Sequence, residues 1–387
     1  MFAIDAQFAP GEAGGTETHL PLQLDALARH GRERYLVLGS VDNDEDLRPF
    51  LGSNMDLLPY PVRYTWFKSG AAPMSAWAND ALLKAHGIRA VHFPYPQHFV
   101  TRLPFVYEPW GLPHRHFPEF FQVGEPEWMD SLMRSGCENA AVIVTGTRWA
   151  RQDIAAAYDL PLSRFAVLPR NPLRRLAPPR LGAAPAGYPH RFALYPSAAW
   201  PHKNHVNLLR GLALLRDEHG VELVLVCTGK IDTSAADLIA RTTAELGLQD
   251  LARFLGPIPW EELERLFLSA SFLIHPSRFE GLGLPLIEAM NYGLPVLASN
   301  ATCIPEVVGD AALLFDPDDP AAIGEAMRQA VESPRLLQDL RARGRRRIKA
   351  FFPSHRRLAQ SFEAIYKTAV GLPLGEEGQA LMEEMTA

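Results

Sequence analysis

Two glutamates, Glu280 and Glu288, stand eight positions apart in the stretch Ile274–Val296, IHPSRFEGLGLPLIEAMNYGLPV, with the run Gly281-Leu282-Gly283-Leu284-Pro285 between them. A carboxylate that accepts two hydrogen bonds suits a vicinal diol, such as a ribose or a sugar ring. Glycines let the backbone approach a ligand closely, and N–H groups exposed at a helix N-terminus suit phosphate. A ligand with diols at both ends and phosphate between them is a nucleotide sugar. The same spacing also fits a plain loop–helix junction whose glutamates favour the positive pole of the helix. From the pair alone both readings stand.

Positioning such a site needs a strand before it and a helix after it. The apolar run ending near Ser277 predicts the strand, which places Glu280 at its carboxyl edge. Pro285 suits the first turn of the helix, Glu288 falls about one turn in, and Gly293 closes it. Similar alternation runs along most of the chain. Strands are expected at Phe2–Asp5, Tyr35–Gly39, Ala90–Phe93, Phe105–Glu108, Ala141–Gly146 and Phe165–Pro169. After a Pro-, Gly- and Ala-rich linker at Arg174–His190, further strands are expected at Arg191–Pro196, Val221–Gly229, Ala252–Gly256, Ser271–Ser277, Pro295–Ser299 and Ala311–Phe315. Three helical segments follow, the last near Ser354–Val370, ahead of a short acidic tail. Continuous apolar strands separated by helices predict parallel sheets covered on both faces, so the fold class is α/β with two Rossmann-like, doubly wound domains. In such sheets ligands bind beyond the carboxyl ends of the strands, and two facing domains would hold one in the cleft between them.

Composition narrows the function classes. The chain has 387 residues, 47% hydrophobic and 21% charged, an ordinary globular profile long enough for two domains. A formal net charge of -6 argues against a nucleic-acid partner. Cys137, Cys227 and Cys303 are far apart and odd in number, which suggests neither a disulfide framework nor a zinc site and fits a reducing compartment. The N-terminus lacks the pattern of a secretory signal, and no apolar run reaches the length of a membrane span. A cytoplasmic protein is expected, with peripheral membrane contact left open and the oligomeric state undetermined.

The segment from about Ala252 to Phe315, RFLGPIPWEELERLFLSASFLIHPSRFEGLGLPLIEAMNYGLPVLASNATCIPEVVGDAALLFDP with its flanks, resembles the donor-binding half of the glycosyltransferase group 1 family, family 4, of GT-B architecture. The resemblance implies that Glu280 touches the transferred sugar and Glu288 the ribose diol. It implies that the amides of Gly281, Leu282, Gly283 and Leu284 meet sugar and diphosphate, and that the turn Phe254–Pro259, with Gly256, lies against the base. Tyr195–Leu209, YPSAAWPHKNHVNLL, is similar to the family's first strand and helix of the donor domain, with Lys203 at the place of its phosphate-binding lysine. Pro10–Leu20 resembles the family's glycine loop after the first strand, with Gly14 and Gly15 facing donor phosphate and acceptor. HRHFPEFF, His114–Phe121, resembles a loop of the N-domain.

The implied protein is a retaining glycosyltransferase moving a sugar from a nucleoside diphosphate sugar to a hydroxyl of a glycan, lipid-linked or small-molecule acceptor. GDP-mannose is favoured as donor from the look of WPHKNH, with UDP-sugars next. No metal and no other cofactor are expected. The implied domains are an acceptor-side domain over 1–185, a donor domain over 190–350, and a C-terminal helix over about 352–387 crossing back onto the first.

The chain departs from the family pattern at two places. Ala198 stands near the position of a common phosphate-binding arginine, with His202 or Arg170 as candidate substitutes. Trp110 stands where a histidine is frequent, with Glu108, His114 and His116 nearby and His114 taken as the catalytic candidate. These departures keep a second expectation alive, a protein that binds nucleotide sugar without turnover. Three other signals are weaker. Val41–Asp46, VDNDED, contains Asp-x-Asp but reads as an exposed acidic loop. Arg341–Lys349, RARGRRRIK, reads as a solvated helix face with anionic lipid as the alternative. The aromatic runs FVYEPW and HFPYPQHF suit either an acceptor sugar or the core.

Overall fold

The computed structural model describes residues 1–8, 15–40, 43–59, 76–170, 191–231 and 234–387. The expected linker at Arg174–His190 lies outside these residues, as do Val41, Asp42 and the glycine loop up to Gly14. The chain divides into two compact units, one of Met1–Arg115, Val123–Arg174 and Pro353–Ala387, the other of His116–Gln122 and Arg175–Phe352. Residues His116–Gln122, from the loop expected in the N-domain, therefore group with the second unit.

The first unit is built on a parallel sheet of β1 (Phe2–Ala6), β2 (Tyr35–Gly39), β3 (Met55–Pro59), β4 (Ala90–Phe93), β5 (Phe105–Tyr107), β6 (Val142–Thr145) and β7 (Phe165–Val167). Its order is β3-β2-β1-β4-β5-β6-β7. Alternate strand residues serve two cores. Phe2, Ile4, Tyr35 and Val37 pack with Leu20, Leu24 and Leu27 and with Phe362, Ile365 and Tyr366 of the helix His355–Ala369. Ala3, Leu36, Leu38, Phe93 and Phe105 face the other way, against Cys137 and Ile154. Burial on both faces is why these strands read as unbroken apolar runs.

The second unit carries β8 (Phe192–Pro196), β9 (Val224–Thr228), β10 (Ala252–Phe254), β11 (Phe272–His275), β12 (Val296–Ser299) and β13 (Ala312–Phe315), also all parallel, in the order β10-β9-β8-β11-β12-β13. Both units are thus doubly wound α/β folds. Among the described residues no helix is long and apolar enough to cross a membrane.

Three local expectations need correction. Strand β3 was not anticipated, because it is a half-exposed edge strand whose Asp56 and Pro59 break the apolar run. Within VDNDED, Asp44–Leu47 is a short helix rather than a loop, and Asp44 pairs with Arg48 one turn on at 2.6 Å. The single C-terminal helix expected over about 352–387 is two, His355–Ala369 and Glu376–Thr386, and in the second Leu381 and Met385, one turn apart, bury into the first core.

The first unit also buries a charged network. Glu108 is bonded through one carboxylate oxygen to His92 Nε2 at 2.7 Å and through the other to the Arg170 guanidinium. His92 Nδ1 meets Tyr366 Oη at 2.9 Å and Gln23 Nε2 at 2.9 Å. Burial alone would raise the Glu108 pKa, but Arg170 and His92 overcome it and hold the carboxyl at about 2. Burial, reinforced by Arg170, lowers His92 against the pull of Glu108. Both folded-state values lie below the unfolded ones, so the unfolded chain binds more protons, and the contribution is present at neutral pH and lost on acidification. The loss begins below the ordinary histidine value of ~6.5 and deepens below ~4.3 for the carboxyl. Glu108→Gln keeps an acceptor but removes the charge. It is expected to lower stability at neutral pH by about 1.5–3 kcal/mol and to flatten the acid limb. Thermal denaturation across a pH series checks this; an unchanged acid slope would contradict the assignment.

Candidate active site at the carboxyl edge of the second sheet

The strand order of the second unit reverses between β8 and β11, the point at which doubly wound sheets open a crevice beyond their carboxyl ends. Lys203 follows β8 and Glu280 follows β11. A 3-10 turn, Pro201–Lys203, begins with proline, whose fixed φ suits its first position. Asn204 then adopts φ 64°, a left-handed conformation that asparagine tolerates better than most residues. Its buried Nδ2 donates to Pro276 O at 3.0 Å and Pro317 O at 2.7 Å, tying together the loops after β8, β11 and β13. Tyr195 Oη donates to Lys203 O at 2.6 Å, and Arg278 N to His202 O at 2.8 Å. The lysine is therefore held from three sides.

Lys203 Nζ lies 2.7 Å from Glu280 Oε1, and His275 Nε2 lies 2.8 Å from the same oxygen. Glu280 Oε2 takes part in no hydrogen bond among the described residues, so one oxygen is neutralised and the other is left for a ligand hydroxyl. Burial alone would raise the Glu280 pKa. The Lys203 ammonium, then the His275 hydrogen bond, outweigh it and keep the carboxyl ionised well below the usual range. The same burial and the same ammonium push His202 and His205 down to about 3, so both rings are neutral at physiological pH. Lys203 is then the cation of this cluster. His202 cannot supply the second positive charge considered above.

Glu280 N donates to Thr302 Oγ1 at 3.1 Å, and Cys303 Sγ donates to Glu280 O at 3.1 Å, which anchors the loop backbone on the segment after β12. Gly281, Leu282 and Gly283 follow, and the helix Leu284–Tyr292 starts with Pro285 in its first turn, as expected. Gly283 has φ 72°, a left-handed conformation that strains any side chain, and a Cβ there would also press on Leu286 Cδ1 at 2.9 Å. The N-terminal N–H groups of that helix thus begin within four residues of Glu280, a favourable setting for an anion. Glu288 lies in its second turn and is buried. Gly293 ends the helix at φ 68°. Gly256, after β10, has φ 70° and open space where a Cβ would be, compatible with a flat ring passing close.

The structure thus brings Lys203, Glu280 and the Gly281–Leu284 turn to one edge. The candidates Gly14, Gly15, His114 and Arg170 lie in the first unit or outside the described residues. Gly14 lies outside the described residues, and Gly15 opens the helix Gly15–His30 of the first unit. His114 is 1% exposed in the first unit, its Nε2 3.6 Å from Asp130 Oδ1. Arg170 is committed to Glu108 in the first unit, and its guanidinium faces the Phe362 ring at 5.4 Å. Of the aromatic runs, Phe93, Tyr95, Phe99, Phe105 and Tyr107 are core residues, whereas Trp110 is 36% exposed at φ 64°. Sequence reasoning missed His275, Tyr195 and Asn204. Each lies at or next to the end of a strand or a turn, and nothing in its neighbours distinguishes it from a core or capping residue.

The sequence model of the family described as "Glycosyl transferases group 1" matches residues 188–347. The O-antigen chain mannosyltransferase B of Escherichia coli is 32% identical over 246 residues, which cover 60% of this chain and 63% of that protein. The chain thus matches under two thirds of that relative's length. Among solved structures, sucrose-phosphate synthase from Thermosynechococcus elongatus superposes with a TM-score of 0.75 at 18% identity, over 96% of this chain and 100% of that one. Anabaena Alr3699/HepE, in complex with UDP and glucose, gives 0.70 at 17% identity over 95% and 99%. At these identities the likeness is one of fold, two Rossmann-like domains of the GT-B class.

Proposed function

Residues 188–347 match the glycosyl transferases group 1 family, and from that match we propose that the protein transfers a sugar from a nucleoside diphosphate sugar to an acceptor hydroxyl. The observation that carries this reading is the Lys203–Glu280 pair at the switch point, one carboxylate oxygen neutralised and the other open. Lys203 and the turn amides take the diphosphate, where a fixed cation stabilises charge growing on the leaving group. Glu280 Oε2 accepts from a hydroxyl of the transferred sugar, Glu288 from the ribose diol, and the turn at Gly256 lies against the base. The mannosyltransferase relative favours GDP-mannose as donor, with UDP-sugars second because HepE was solved with UDP and glucose. Anomeric configuration is retained: the leaving phosphate takes the acceptor proton on the face it departs from. No metal is needed in this scheme, since Lys203 and the amides supply the positive field. The acceptor is a glycan, lipid-linked or small-molecule hydroxyl, in a cytoplasmic setting.

Incubation with GDP-mannose and with UDP-sugars, reading nucleotide release and transfer to glycan acceptors, tests the proposal. Glu288→Ala is expected to weaken binding of the nucleoside diphosphate about tenfold with the fold intact, the worth of a charge-assisted hydrogen bond to the diol. Calorimetric titration with GDP and UDP reads it, and unchanged affinity would remove the diol role. A second reading, binding without turnover, is favoured by Ala198 and by the unavailability of Arg170 and neutral His202 as a second cation. Tight nucleotide binding with no release from any donor would select it.

A further inference from the structure

We infer that His275 is a positioning residue that holds Glu280 in place while Lys203 turns its charge toward the diphosphate of the donor; this rests on the functional reading above. The His275 side chain is fully buried at the end of β11, edge-on to Tyr195 with ring centroids 5.6 Å apart. Tyr195 is the same residue whose hydroxyl fixes Lys203 O. His275 Nε2 and Lys203 Nζ converge on a single oxygen, Glu280 Oε1. His275 Nδ1 is buried and makes no hydrogen bond among the described residues. A proton on Nδ1 would be a desolvated donor without an acceptor, whereas a bare lone pair there costs less. The ring is therefore the neutral Nε2–H tautomer, donating to Glu280.

The two donors on Oε1 differ in what a bound diphosphate does to them. The Lys203 ammonium is drawn toward the phosphate oxygens, and the same negative charge repels the Glu280 carboxylate. A neutral imidazole feels little of that field and keeps its hydrogen bond. His275 thus preserves the carboxylate rotamer, with Oε2 toward the sugar, when the ion pair loosens. Its role depends on reach, since the donor must sit where Nε2 does. Glutamine places an amide nitrogen near that point, and asparagine places its nitrogen near Nδ1.

Three variants separate this role from plain core packing. His275→Gln is expected to retain most of wild-type kcat with GDP-mannose (or the UDP-sugar the wild type uses), while His275→Asn and His275→Leu lose about 10- to 100-fold in kcat. Affinity for free GDP or UDP, which has no sugar for Glu280 to orient, stays within about twofold in all three. Long-range proton–nitrogen spectra of histidine-labelled protein should show one ring, absent from His275→Gln, as the neutral Nε2–H tautomer. If His275→Leu fails to fold, the Gln and Asn pair still decides. Equal activity of the Asn and Gln variants, wild-type kcat in the Leu variant, or an Nδ1–H or charged ring at His275 would overturn the inference alone. Absence of turnover by the wild-type protein would overturn the functional reading and this inference with it.

Discussion

Replacing Lys203 by alanine is expected to cut kcat by about 10²- to 10³-fold, the usual loss when one preorganised group facing a developing negative charge is removed. The Lys203 ammonium carries the site's charge unaided by its histidine neighbours, because His202 and His205 are held neutral. The substitution acts on stability as well. It strips Glu280, whose side chain is 9% exposed, of its closest counter-charge, and breaking a buried pair costs about 3–5 kcal/mol. Lys203 itself is 19% exposed, so water screens part of that cost. The double variant Lys203→Ala, Glu280→Gln separates the two effects: removing the orphaned charge should recover much of the stability and none of the activity. Steady-state kinetics with the preferred donor and thermal denaturation of both variants check this. Wild-type kcat in Lys203→Ala would remove the lysine from the mechanism.

Glu280→Gln is the second large effect, with the opposite signature in binding. The amide keeps the shape and a hydrogen-bond acceptor but not the charge that polarises the sugar hydroxyl, so turnover should fall by about 10²-fold or more. Free nucleoside diphosphate, in contrast, should bind at least as tightly as to the wild type. Lys203, no longer neutralised at 2.7 Å, offers its full charge to phosphate. Calorimetry with GDP or UDP beside single-turnover transfer resolves the pair of outcomes. Weakened nucleotide binding in Glu280→Gln would mean that the carboxylate orders the phosphate site itself, contrary to the division of roles proposed here.

Much of the frame was legible in the sequence, because its signals are local. Strands buried on both faces appear as apolar runs, and Pro285 and Gly293 mark the ends of a helix through their own φ preferences. Edge strand β3 escaped, since it presents only part of its length to a core and looks polar in isolation. Gly283 was readable as a close-approach position, but its left-handed backbone is known only from the fold.

The site divides along the same line. The residue types that a nucleotide sugar needs, and the glycine turn between its two carboxylates, follow from the order of amino acids alone. That Lys203 and Glu280, 77 positions apart, share a hydrogen bond depends on β8 pairing with β11, a contact no local window contains. Burial then decides protonation: it neutralises His202 and His205, and it gives His275 a single tautomer. It also commits Arg170 to Glu108 in the other unit, so a cation that the sequence offered to the phosphate is spent elsewhere. Residue chemistry is a property of the chain, whereas dielectric surroundings and partners are properties of the packed sheets, and only those set which charges remain available to a ligand.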